Sequence, residues 1–128
     1  MPSVLLADDS KLVRETLRSL LVEEGFNVCA DAQDGKEAIE VAKKLRPDIV
    51  ILDYRMPEMS GAQAAYAIRQ FAPNTKIIFC SFDDTAEIAA AARVMGADAF
   101  VSKSPVELLL AVRHLSAGEN IIGAKIVP

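Results

Sequence analysis

Short β-branched runs alternate with longer stretches of helical spacing five times along the chain, and few folds accommodate that rhythm. The extended runs are residues 4–7, 26–31, 49–52, 77–81 and 99–102. The third, Ile49-Val50-Ile51-Leu52, is apolar at every position, as a strand buried on both faces must be. The second alternates, with Phe26, Val28 and Ala30 on one face and Asn27, Cys29 and Asp31 on the other. That is the pattern of a strand at a sheet edge.

Amphipathic segments at 11–24, 36–45, 62–71, 85–95 and 106–117 lie between and after the runs. The first sets Val13, Leu17, Leu20 and Leu21 at helical spacing, with Ser10 placed to cap its start and Gly25 to stop it. The second stacks Ala38, Ile39, Ala42 and Leu45, and ends before Arg46-Pro47 because proline disfavours a helical predecessor. The fourth is alanine-rich and closed by Gly96. Pro105 suits the first turn of the fifth, which Gly118 ends. The tail, 119–128, shows no clear element. Five such units with short connections predict an α/β fold: a doubly wound parallel sheet with helices on both faces. At 128 residues, the chain is read as one domain over 1–128.

Composition narrows the function. Hydrophobic residues make up 52% of the chain, enough for a real core. A net charge of −4 argues against direct nucleic-acid binding, which draws its affinity from Lys and Arg on phosphates. No apolar run approaches the roughly 18 residues of a membrane span. The start, with Asp8 and Asp9 early and no basic region, does not read as a signal peptide. A cytoplasmic location is expected, with Cys29 and Cys80 as buried reduced thiols. A single histidine excludes a site built on two imidazoles, and without a CxxC motif a zinc cluster goes too.

Doubly wound sheets bind ligands beyond the carboxyl ends of their strands. The residues falling there are Asp8 and Asp9 after the first run, Asp53 after the third, Ser81 at the end of the fourth and Lys103 after the fifth. Asp31 and Asp34 follow the edge run and are expected to stay away from the middle. Two like charges about 4 Å apart cost on the order of 4 kcal/mol at an effective dielectric of 20. Three carboxylates therefore persist only with protons shared, a cation bound or an ammonium group nearby, and Lys103 supplies one charge only. A small oxygen-seeking dication fits, and Mg2+ binds through one or two carboxylates while keeping waters that phosphate oxygens can replace. Asp53, ending the most buried run, is the candidate nucleophile. Asp8 and Asp9 would hold the metal, while Ser81 and Lys103 would bind phosphoryl oxygens.

These residues carry a resemblance. Asp8-Asp9, the stretch Asp53-Tyr54-Arg55-Met56-Pro57-Glu58-Met59-Ser60-Gly61, Ser81 and Lys103 together resemble the receiver domain of bacterial two-component response regulators, over essentially the whole chain. The resemblance implies a flavodoxin-like (β/α)5 fold with strand order 2-1-3-4-5. It implies that Asp53 accepts a phosphoryl group from a histidine kinase or phosphotransfer protein. Mg2+ would be bound by the Asp9 and Asp53 side chains, by Asp8 through water and by the Arg55 main-chain carbonyl. Ser81 would turn toward the phosphoryl group and Phe100 would move with it as a switch. The surface of the fourth helix, fifth strand and fifth helix would then signal to an output domain or effector, with a dimer through that surface as one possible form. Such a domain modifies itself at one site and is not expected to be an enzyme.

The chain also departs from the family pattern. Ser81 stands where threonine is commoner. Phe82 stands where a small residue is usual, and a phenyl ring there crowds access to Asp53. Arg55, two residues past the nucleophile, can pair with Glu58 or Asp83, or reach the phosphate. Ser104 follows Lys103 where many members have a proline. Members fused to a helix-turn-helix output domain often lack that proline, and the stretch 106–112 with Ala117-Gly118 resembles theirs, the NarL/LuxR type. Three other functions compete with this one. A haloacid-dehalogenase-type phosphohydrolase needs an aspartate where Arg55 stands. A flavin or nucleotide carrier needs a phosphate cradle where Asp8-Asp9-Ser10-Lys11 stands. A receiver-like domain acting by constitutive protein binding is the alternative that the sequence leaves open.

Overall fold

In a computed structural model, the structure describes residues 2–56, 58–81, 90, 94–102 and 104–117, with the backbone at 121–122 and 125–126. Five parallel strands, β1 (Ser3–Ala7), β2 (Asn27–Ala32), β3 (Ile49–Asp53), β4 (Lys76–Ser81) and β5 (Ala99–Ser102), form one sheet in the order β2-β1-β3-β4-β5. This is the expected doubly wound sheet. Helices α1 (Lys11–Glu23), α2 (Gly35–Leu45), α3 (Gly61–Phe71) and a last helix, Pro105–Ser116, cover it. The segment expected at 85–95 lies largely outside the described residues, although Ala90 and Val94 are helical and Gly96 turns the chain at φ +85.

The sheet separates two cores, and β3 feeds both. Ile49 and Ile51 pack with Leu17 and Leu21 of α1 and with Leu108, Val112 and Leu115 of the last helix. Val50 and Leu52 face the other way, onto Ala38 and Ala42 of α2 and Ala64 and Ile68 of α3. All five residues of β3 are buried, which explains the unbroken apolar run.

Local chemistry sets the helix ends. Ser10 accepts from the Val13 N–H and starts α1. Gly25, at φ +91, ends the following turn, a conformation that L-residues with a Cβ resist. Asp34 caps α2 by accepting from the Glu37 N–H at 2.8 Å. Ser60 and Gln63 form a reciprocal capping box on α3. Arg46, left-handed at φ 49, is held there by its guanidinium, which donates to the Phe71 carbonyl at 2.7 Å and lies over the Phe71 ring.

Two expectations need correction. The second strand does not alternate simply. Val4 pairs with Val28 but Leu5 pairs with Ala30, so Cys29 is an extra residue in a bulge. A bulge reverses the alternation beyond it. Val28 therefore joins the core under α1, whereas Ala30 packs on the opposite side. The Cys29 thiol donates to the Val4 carbonyl at 3.5 Å, and burial pushes its pKa up. Both cysteines are free thiols, but only Cys80 is buried as expected; Cys29, in the bulge, is half-buried. In the tail, Ile121–Ile122 pairs antiparallel with Lys125–Ile126, where no element was expected; β-branched pairs favour such extension.

Gly61 opens α3 against the end of β3. A Cβ there would lie 2.3 Å from the Asp53 carbonyl oxygen and 3.0 Å from the Tyr54 Cα. Gly61→Ala should lower stability by about 1–3 kcal/mol, read as an earlier urea midpoint. An unchanged midpoint would show that the loop yields freely. Leu52→Ala should lose about 2–5 kcal/mol. Leu12→Ala, at a side chain 73% exposed, should stay within about 0.5 kcal/mol. Equal losses at the two positions would contradict a two-sided core.

Candidate functional site

The sheet register decides what meets at its carboxyl edge. Ala7 of β1 pairs with Leu52 of β3, so the next residues, Asp8 and Asp53, emerge side by side. Asp9 follows, and one carboxylate oxygen from each of Asp8, Asp9 and Asp53 lies within 4.8 Å of the others. Asp53 pairs in register with Cys80, and Ser81 with Ser102, which carries Ser81 to the same edge. Asp8, Asp53 and Ser81 are buried while Asp9 is exposed. The cluster thus has a dry floor and a wet rim.

Main-chain donors fix the two buried acids. The Asp8 N–H donates to the Ala32 carbonyl at 3.0 Å, and Asp8 Oδ1 accepts from the Ser10 N–H at 2.9 Å. Asp53 Oδ1 accepts from the Arg55 N–H at 3.2 Å. The loop after β3 folds back on itself, with the Tyr54 N–H donating to the Cys80 carbonyl and the Gly61 N–H to the Tyr54 carbonyl, both at 3.0 Å. Gly61 has no side chain because this return passes against the Asp53 carbonyl. The Tyr54 ring meets Phe79 and Phe100 edge-on, at centroid distances of 5.4 and 6.3 Å. Tyr54 is thus a structural aromatic. Met56 and Met59 pack against the same core.

Not every expected residue is placed. Lys103 and Phe82 lie outside the described residues, as does Asp83. Phe100 is fully buried, and Arg55 stands exposed at the rim. Asp31 faces α1 instead of the cluster, 3.2 Å from the Arg18 guanidinium, as its edge strand predicts. Asp34 is occupied as a cap, and with Asp9, Gln33 and Glu58 it lines an open cleft of about 320 Å3 beside the acids. A larger groove of about 530 Å3 lies at the opposite edge of the sheet, between Pro2, Asp48, Thr75 and Leu115.

Sequence reading missed Arg14. Its guanidinium donates to the Asp8 carbonyl at 2.6 Å and sits 3.9 Å from the Asp31 carboxylate, tying α1 to the end of β1. Lys11 and Arg18 share its helix and its charge, so spacing alone could not single it out.

The donor set suits a hard dication. Three carboxylates are oxygen ligands of the kind Mg2+ takes, and two of them are buried beside each other, where unbalanced charge is costly. Among the described residues, no helix is long and apolar enough to cross a membrane.

Residues 4–113 match the model of the response regulator receiver domain. Over 127 residues, 97% of the chain, the sequence is 35% identical to the probable transcriptional regulatory protein NarL of Mycobacterium tuberculosis. That alignment takes in 59% of the relative's length, so the chain spans only part of it. A two-component response regulator of the LuxR family from Aurantimonas sp. SI85-9A1 superposes with a TM-score of 0.91 at 32% identity, over 96% of this chain and 90% of that one. CheY of Borrelia burgdorferi, in its complex with CheX, BeF3 and Mg2+, gives 0.84 at 30% identity, over 89% and 88%. This chain sets its clustered acids at the ends of β1 and β3 on a sheet ordered β2-β1-β3-β4-β5, and the family match with these likenesses shows that it belongs to the response regulator receiver domain family, and within it to the NarL/LuxR type.

Proposed function

We propose that the chain is a phosphorylation-activated switch in which Asp53 is the phosphoryl acceptor, with Mg2+ as its cofactor and a sensor histidine kinase or phosphotransfer protein as donor. The observation that carries this reading is the convergence of Asp8, Asp9 and Asp53 within 4.8 Å at the end of the most buried strand. Asp9 and Asp53 would hold the ion directly, Asp8 through water and Arg55 through its carbonyl. When bound, the ion balances the carboxylates and draws in phosphoryl oxygens.

An Asp53 carboxylate oxygen attacks phosphorus, a P–O bond forms, and the P–N bond to the donor imidazole breaks with its electron pair leaving on nitrogen. The Arg55 N–H on Oδ1 holds the carboxylate in one orientation. Ser81 and Lys103 would bind the phosphoryl oxygens as charge develops on them. The new dianion then favours a second arrangement of Ser81 and Phe100. Phe100 is buried beside Tyr54 and Phe79, so its movement repacks that core face, and β5 with its flanking helices passes the change to an output domain or effector. The chain acts on itself and is not an enzyme in this reading. It acts in the cytoplasm, by protein contacts and without touching DNA.

Incubation with Mg2+ and acetyl phosphate, followed by intact mass measurement, tests the proposal. A phosphate adduct should form on the wild type and be absent from Asp53→Asn and from samples with chelator. No adduct, even with a histidine kinase domain supplied, would favour constitutive protein binding instead. Phe82→Ala should speed phosphorylation by acetyl phosphate, hydrolysis of the adduct, or both. Two unchanged rates would remove Phe82 as a gate.

A further inference from the structure

Three cations stand on α1, Lys11, Arg14 and Arg18, and the fold treats one of them differently. The Lys11 side chain is 81% exposed and that of Arg18 44%, whereas Arg14 keeps only 14%. Drawing a cation out of water is costly unless it is paired and hydrogen-bonded. The Arg14 guanidinium has two anchors that offset this cost. Nη1 donates to the Asp8 carbonyl at 2.6 Å, and Nε lies 3.9 Å from Oδ1 of Asp31 on β2. The other oxygen of Asp31 takes Arg18 at 3.2 Å. A planar fork of donors serves two anchors at once, in a geometry that a lysine ammonium on its flexible stem does not reproduce.

The carbonyl that Arg14 holds is the one between the two acids. A peptide unit is planar, so the Asp8 oxygen shares its plane with the nitrogen and Cα of Asp9. Asp8 is fixed twice more, by its N–H on the Ala32 carbonyl and by the Ser10 N–H on its Oδ1. Asp9 is exposed, and among the described residues no hydrogen bond or ion pair holds its carboxylate. The backbone alone directs that side chain, and Arg14 grips the backbone.

We infer that Arg14 is a positioning residue for the cation: by clamping the Asp8–Asp9 peptide between α1 and β2 it keeps the Asp9 carboxylate beside those of Asp8 and Asp53. This rests on the reading above, in which Asp9 is a ligand of Mg2+. The charge of Arg14 works the other way, because a fixed cation next to the cluster repels the ion. Positioning and charge thus have opposite signs, and Mg2+ affinity separates them.

The test measures Mg2+ affinity by calorimetric titration of the full chain and its variants. Arg14→Gln should weaken Mg2+ binding about tenfold, the scale on which groups that orient metal ligands act, even though a repelling charge is gone. Arg14→Lys keeps the charge and loses the fork, and should weaken binding by about threefold or more. Should Arg14→Gln fail to fold, Arg14→Lys decides alone. Arg18→Gln removes the same charge from the same helix, and the same partner, without touching the Asp8 carbonyl; it should bind Mg2+ no more weakly than the wild type. At saturating Mg2+, Arg14→Gln should accept phosphate from acetyl phosphate within about twofold of the wild-type rate, because the loss is one of ion binding. Wild-type or tighter Mg2+ affinity in either Arg14 variant would overturn the inference. So would an equal loss in Arg18→Gln, or a rate that stays low at saturating Mg2+, which marks general damage. If Asp9→Asn binds the ion as tightly as the wild type, the reading of Asp9 as a ligand fails first and takes the inference with it.

Discussion

Mutual repulsion among Asp8, Asp9 and Asp53 is the force the rest of the structure has to contain. Carboxylate oxygens that approach within 4.8 Å repel one another, and two of these groups have little water to screen them. The fold answers with geometry. β1 and β3 lie next to each other and in register, so their ends cannot drift apart without breaking the centre of the sheet. Main-chain N–H groups of Ser10 and Arg55 each take one buried carboxylate oxygen. Packing of β3 on both faces supplies the stability against which an unfavourable charge cluster can be held.

That cluster is wired to the rest of the domain by short links. Arg14 joins the Asp8 carbonyl to α1, and Gly61 lets α3 begin directly against the Asp53 carbonyl. Tyr54, beside the proposed acceptor, touches Phe79 and Phe100 across β4 and β5. A change of charge at the edge of the sheet therefore reaches an aromatic core within two side chains. Beyond it, Ser102, the register partner of Ser81, donates to Glu107 in the first turn of the last helix.

Much of this was legible in the sequence. The unbroken run Ile49–Leu52 announced a central strand, and the polar residues just past four apolar runs marked the edge where Asp8, Asp9, Asp53 and Ser81 now stand. Strand order came from family likeness, because periodicity cannot say which strands are neighbours. What escaped notice depended on distances between remote parts of the chain. The bulge at Cys29 leaves no mark in a pattern of alternating residues, so alternation alone sets Val28 and Ala30 on one face. Gly61 was visible as part of a motif, but only the approach of the Asp53 carbonyl explains it. Arg14 and Glu107 looked like ordinary helix charges until their partners, Asp8 and Ser102, came beside them. Lys103 and Phe82, both singled out from sequence, lie outside the described residues.

The balance of charge at the cluster can be read directly by thermal unfolding of the wild type and Asp9→Asn with and without Mg2+. Asp9 is exposed, so the substitution alters charge without disturbing the core. In metal-free buffer the account predicts that Asp9→Asn melts at a higher temperature, because one repelling carboxylate is gone. Saturating Mg2+ should reverse the order, stabilising the wild type by about 2.7 kcal/mol at a hundredfold excess over the dissociation constant, while the variant gains little. Wild-type melting that ignores the ion, or a variant that responds to it equally, would contradict the account.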